Sequence, residues 1–178
     1  MKSIFLIALL LGASAASATQ LSEVRTCRTE AGSPISLLAE KGLEGSRLYL
    51  KLDGQIKTAF TDMPDADFVG TVVMSTCAGH ALIFAISYGP PYLKGVVVRR
   101  NPVNHAVERI DFAEKSLPRW LYLSPTQMRL VIPNIGNETA SKYLIYDFAS
   151  VKGQSNEPAA SNVLPDKHGF NVAQLRSH

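Results

Sequence analysis

Short apolar runs alternate along the chain with polar breaks marked by glycine and proline, and almost every run has the length of a strand. Arg47-Leu48-Tyr49-Leu50-Lys51-Leu52 alternates polar and apolar residues with period two, as a strand wet on one face does. Asp53-Gly54 follows, a pair suited to a two-residue hairpin turn because both positions tolerate a positive φ; Gln55 to Phe60 reads as the return strand. Ala81-Leu82-Ile83-Phe84-Ala85-Ile86 and Val96-Val97-Val98 are continuously apolar and predict two strands buried within a sheet. Leu21 to Thr26 predicts an edge strand leading into Cys27, Phe68 to Thr76 a core strand reaching Cys77, and Ile35 to Ala39 either a strand or a helical turn. Further strands are expected at Ala106–Phe112, Met128–Pro133 and Tyr143–Phe148, and Pro118-Arg119-Trp120-Leu121-Tyr122-Leu123 is an aromatic and apolar stretch ahead of the Ser124–Gln127 break. Short strands separated by turns predict an all-β antiparallel meander, folded as a sandwich or flattened barrel. The section from Trp120 to Phe148 has a part-propeller rhythm.

The two ends depart from this pattern. Met1-Lys2-Ser3, an apolar run from Ile4 to Leu11 and the small residues Ala16-Ser17-Ala18 describe a secretory signal peptide over residues 1–18. The apolar run falls short of the ~20 residues that a membrane span needs, and no later run reaches that length. Residues 19–150 are expected to form a single β domain. Beyond Ser150 the composition turns polar, and residues 151–178 are expected to be a loosely ordered tail. Export to the periplasm or the extracellular space makes a Cys27–Cys77 disulfide the natural reading of the two cysteines. With 18 basic and 15 acidic residues, and only Arg99-Arg100 adjacent among the basic ones, the chain lacks the dense basic stripe of a nucleic-acid binder.

Catalytic and metal signatures are absent from the sequence: no His-Glu-x-x-His, Gly-x-Ser-x-Gly, phosphate-cradling glycine loop or Cys-x-x-Cys occurs. No cofactor is expected. His80, His105, His168 and His178 lie in turns and the tail, where turn composition explains them better than a shared metal does. Cys77 with His80 suggests a nucleophile pair, which the presence of Cys27 argues against. Asp62, Asp65 and Asp67 share one loop without the spacing of a calcium loop. Trp120 is expected to anchor the core, and Asn137-Glu138-Thr139 is a glycosylation sequon that matters only in a eukaryotic source.

One connection stands apart. Ser87-Tyr88-Gly89-Pro90-Pro91-Tyr92 joins the two most apolar strands with two tyrosines and two prolines, and proline removes both backbone freedom and a donor. A stiff aromatic loop on a well-anchored hairpin is suited to recognition, or else it caps the edge of the core with its tyrosines. The order of Ala81–Ile86, the Ser-Tyr-Gly-Pro-Pro connection, Gly95–Arg99, an Asn-Pro-Val-Asn turn, Val107–Asp111, Arg119-Trp120 and Met128-Arg129-Leu130 resembles one protein group. These are the periplasmic immunity proteins that neutralise peptidoglycan amidase effectors of type VI secretion. The resemblance implies a small, exported, mostly β protein with a hairpin loop that enters the effector's cleft and meets its Cys–His pair. Ser87 and Gly89 would then be the nearest equivalents of that loop's Ser and Gly. This chain departs from the group in carrying two prolines there and in having cysteines for one disulfide only. The expectation is a non-enzymatic toxin inhibitor whose partner is a protein, such as a secreted peptidoglycan amidase. It would bind through Ser87, Tyr88, Gly89, Pro90, Pro91 and Tyr92, as a monomer or a dimer. A structural or accessory envelope protein, and more remotely a hydrolase with an unrecognised triad, are the competing expectations.

Overall fold

Among the described residues, twelve strands fall into three consecutive four-strand groups, and two more strands close the last of them. A computed structural model describes residues 20–30, 32–42, 45–62, 71–87, 89–136, 139–149, 153–154 and 157–176. The expected signal peptide lies outside the described residues, as does the aspartate loop beyond Asp62. The first sheet runs β1 (Leu21–Cys27), β2 (Ile35–Lys41), β3 (Ser46–Leu52) and β4 (Gln55–Thr58), in that spatial order and antiparallel throughout. The second repeats the plan with β5 (Thr71–Ala78), β6 (Ala81–Ser87), β7 (Leu93–Arg100) and β8 (Val107–Glu114). A third builds on β9 (Trp120–Leu123), β10 (Gln127–Pro133), β11 (Tyr143–Ala149) and the short β12 (Gly153–Gln154). No helix occurs among the described residues, and none of the three sheets closes into a barrel.

The sheets stack face to face with the second in the middle, and this position explains its sequence. Side chains alternate across a strand. On β6 and β7, Leu82, Phe84, Ile86, Val96 and Val98 pack with Ile35, Leu37, Leu48 and Leu50 of the first sheet. The intervening Ile83, Ala85 and Val97 pack with Leu121, Met128, Leu130 and Ile132 of the third. A strand covered on both faces has no wet side, so its apolar run is continuous. The first sheet gives one face to the second, and β3 alternates accordingly. Ile35 to Ala39, read as strand or helical turn, is strand.

Local chemistry fixes the turns. Asp53 and Gly54 take φ of 51° and 77° between the paired Leu52 and Gln55, the two positive values of a two-residue hairpin turn. Gly79 and His80 repeat the device between β5 and β6, with φ of 52° and 65°. Gly95 answers a different demand. It lies opposite Phe112, and a Cβ built on it would fall 2.2 Å from that ring and 2.5 Å from the Phe84 carbonyl oxygen.

Polar clamps and one covalent bond tie the sheets together. Cys27, at the end of β1, is disulfide-bonded to Cys77 on β5, with Cα atoms 5.6 Å apart, and so joins the first strands of two sheets. Arg99 and Arg100, adjacent on β7, point to opposite faces. The Arg99 side chain is 5 % exposed, pairs with the buried Glu108 at 2.6 Å and donates to the Gln127 carbonyl of the third sheet at 3.2 Å. Arg100 instead pairs with Asp53 of the first sheet and donates to the His105 carbonyl at 2.6 Å. Asn101, also buried, donates to Glu108 at 2.6 Å and to the Pro125 carbonyl at 2.8 Å.

The end of the chain corrects an expectation. Residues 151–178 read as a loose tail, yet within them β13 (Ala159–Ser161) pairs with β11 and β14 (Asn171–Gln174) pairs with β9. Leu175 follows into the core between the second and third sheets, 6 % exposed. These strands carry little apolar signal of their own; the edges of the third sheet supply their backbone partners. Trp120 differs as well. Rather than anchoring the core, it lies half-buried on the face of the third sheet turned away from it, edge-on to Tyr143 at 5.8 Å and beneath Arg119 at 5.6 Å.

Candidate binding loop

Ser87 and Leu93 face each other as the last pair of the β6–β7 ladder, and the chain between them leaves the sheet. Within it, Gly89 takes a φ of 117°, the Pro90–Pro91 peptide bond is cis, and the Tyr92 amide donates to the Gly89 carbonyl at 2.8 Å. This is a closed four-residue turn with the cis proline at its third position. Gly89, Pro90, Pro91 and Tyr92 are all exposed, and a Cβ on Gly89 would meet nothing within 4 Å. Tyr88 lies outside the described residues.

Tyr92 is 46 % exposed. The Lys115 ammonium stands 5.5 Å from its ring centroid, a cation–π distance. Of the strands that carry this turn, β6 has 0 % exposure at every residue from Ala81 to Ile86, and β7 is buried from Gly95 to Arg99. An exposed aromatic turn therefore stands on a rigid base.

Charged groups gather beside the base of the turn. Lys94 is the second residue of β7; it pairs with Asp62 and sits 5.4 Å from the Phe60 ring centroid. The Lys94 hydrogen bond holds the Asp62 carboxyl below the usual range, against the smaller opposing effect of burial. Nearby, Arg109 pairs with Asp111 and donates to the Ala59 carbonyl at 2.7 Å. Asp62, Lys94, Asp111 and Tyr146 border an open hollow of about 420 Å³. The Tyr146 hydroxyl donates to Glu114 at 2.6 Å; burial, and then this bond, push its phenol well above the ordinary value. Of these neighbours only Asp62 stood out in the sequence, as a loop acid; the others come from separate stretches of chain that only the stacking of sheets brings together.

The other candidates resolve differently. Cys77 is bonded to Cys27, so no thiol is present to pair with His80, whose Nδ1 lies 3.3 Å from the Arg28 carbonyl and whose Nε2 lies 3.7 Å from Glu30. Asp62 is held by Lys94, while Asp65 and Asp67 lie outside the described residues, as do Asn137 and His178. His105 takes a φ of 58° in the β7–β8 turn, and His168 lies in the crossing between β13 and β14. Among the described residues no three His, Cys, Asp or Glu side chains gather as metal ligands, and no helix is long and apolar enough to cross a membrane. Arg99 and Arg100 are engaged between sheets rather than presented as a basic surface. Comparisons with protein-family models, with curated proteins and with solved structures find no match for this chain.

Proposed function

We propose that the chain is an exported, non-catalytic binding protein that inserts its Ser87–Tyr92 loop into a cleft of a partner protein. The exposed Gly89–Tyr92 turn, on a β6–β7 hairpin buried at Ala81–Ile86 and Gly95–Arg99, is the observation that carries this reading. A turn held by its own backbone bond enters a cleft with little left to order, so less binding energy is spent on immobilising it. Tyr88 and Tyr92 supply contact area of the kind that dominates interfaces. Ser87 and the Gly89 backbone supply polar groups at the level of the cleft. On the resemblance drawn from the loop and the flanking strands, the partner is a secreted peptidoglycan amidase and the chain is its periplasmic immunity protein.

The test is titration of the mature chain against secreted peptidoglycan amidases, read by calorimetry and by residual hydrolase activity. The wild type should bind and inhibit. Tyr88→Ala with Tyr92→Ala should weaken binding by several kcal/mol, as loss of two hot spots does, while the melting temperature holds. An unchanged dissociation constant in the double variant would remove the loop from the interface.

A further inference from the structure

The chain's own C-terminal segment crosses the outer face of the third sheet. β13 lies on β11 and β14 on β9, so residues 162–170 must pass from one side of the sheet to the other. The inner face is already filled by the core shared with the second sheet. On the outer face, Tyr122, Arg129 and Asp147 form one row in register across β9, β10 and β11, with Arg129 paired to Asp147 at 3.0 Å. Phe170 closes on this row, edge-on to Tyr122 at 6.0 Å and 5.0 Å from the Arg129 guanidinium. A bond from the Phe170 amide to the Lys167 carbonyl and a φ of 78° at Gly169 form the turn that aims it there. Tyr122 is 0 % exposed although it faces away from the core.

This cover is apolar but incomplete in hydrogen bonds. The Tyr122 hydroxyl and Asp147 Oδ1 are both buried without a partner, and burial raises the Tyr122 phenol. With Phe170 against its ring, the Tyr122 hydroxyl is withheld from water and gains no partner in return, which opposes the contact Phe170 makes. The segment is also lightly held. Asn162, Val163 and residues 166–169 are exposed, and β14 has four residues, two of them exposed. Segments with few buried contacts and short ladders open before the core does.

We propose that residues 162–174 form a latch that opens as a unit while the three-sheet core stays folded, with Phe170 as its catch. β13 on β11 and Leu175 in the core hold its two ends. Hydration of the Tyr122 hydroxyl favours the open state, which uncovers Tyr122 and the backbone edge of β9.

Amide hydrogen exchange on the full chain tests this. The amides of β14 should exchange at least tenfold faster than those of β6 and β7. Tyr122→Phe deletes the stranded hydroxyl, and should slow β14 exchange severalfold without altering β6 and β7. Phe170→Ala should accelerate β14 alone, by tenfold or more; if that variant does not fold, the wild type and Tyr122→Phe decide. Exchange of β14 at the rate of β6 and β7 overturns the latch, and so does unchanged or faster β14 exchange in Tyr122→Phe.

Discussion

At the scale of single residues, two positions on β7 and β8 have no freedom to vary. Gly95 lies where Phe112 crosses the strand, and a methyl there meets both the ring and the Phe84 carbonyl. Gly95→Ala should lower stability by about 1–3 kcal/mol, the usual penalty for overpacking, read as a shift in the urea midpoint. Glu108 is held by Arg99 and Asn101 in a site that excludes water. Glu108→Ala leaves the Arg99 charge buried with its carboxylate partner removed and should cost about 3–5 kcal/mol in the same measurement. Neither demand is visible in the sequence, where Gly95 opens the run Gly95–Arg99 and Glu108 falls within the strand expected at Ala106–Phe112. The Asp53-Gly54 turn is legible because its chemistry is contained in two residues.

Between elements, the disulfide and the Tyr146–Glu114 bond each join one sheet to the next. Replacing Cys27 and Cys77 together by Ser should cost about 4 kcal/mol if the chain-entropy account of a roughly 50-residue loop holds, measured under oxidising conditions against the wild type. Tyr146 gives a pH signature. Its phenol is raised by burial first and by Glu114 second, so folding favours the neutral form. That contribution is whole below the unfolded phenol's value of about 10 and is lost as pH rises through the folded one. Wild-type stability should therefore fall more steeply above pH ~10 than that of Tyr146→Phe, comparing denaturant midpoints at neutral and alkaline pH. The cysteine pairing could be read from export and parity alone. The tyrosine bond could not, since it needs the second and third sheets to meet.

For the whole molecule, the second strands of the three sheets begin at Ile35, Ala81 and Gln127, an even spacing that marks a repeated four-strand meander. Hydropathy hides the repeat because each copy has a different environment. β2 gives Ile35, Leu37 and Ala39 to the core, β6 is buried on both faces, and β10 carries on its outer face Arg129, which meets Phe170 of the C-terminal crossing. The all-β class was legible in the alternation and the turns, and the loop at Ser87–Tyr92 in its prolines and tyrosines. The fate of the last residues was not: Asn171-Val172-Ala173-Gln174 forms a strand only because β9 offers an edge. A stack of sheets needs a finish at each end. Polar side chains provide it on the first sheet, where Thr26 bonds Ser36 at 2.7 Å and Tyr49 bonds Glu40 at 2.6 Å, and the crossing segment provides it on the third.

Val96-Val97-Val98 would pack about equally well one step out of place, because both faces of β7 meet hydrocarbon. The adjacent arginines remove that ambiguity. Slipping the strand by one residue would turn Arg99 toward Asp53 and Arg100 toward the Gln127 carbonyl. Each guanidinium would then lie on the wrong side of the sheet for the partners it now holds. The doublet works as a two-sided key: valine supplies the burial, and arginine selects the one alignment in which the central strand can stand.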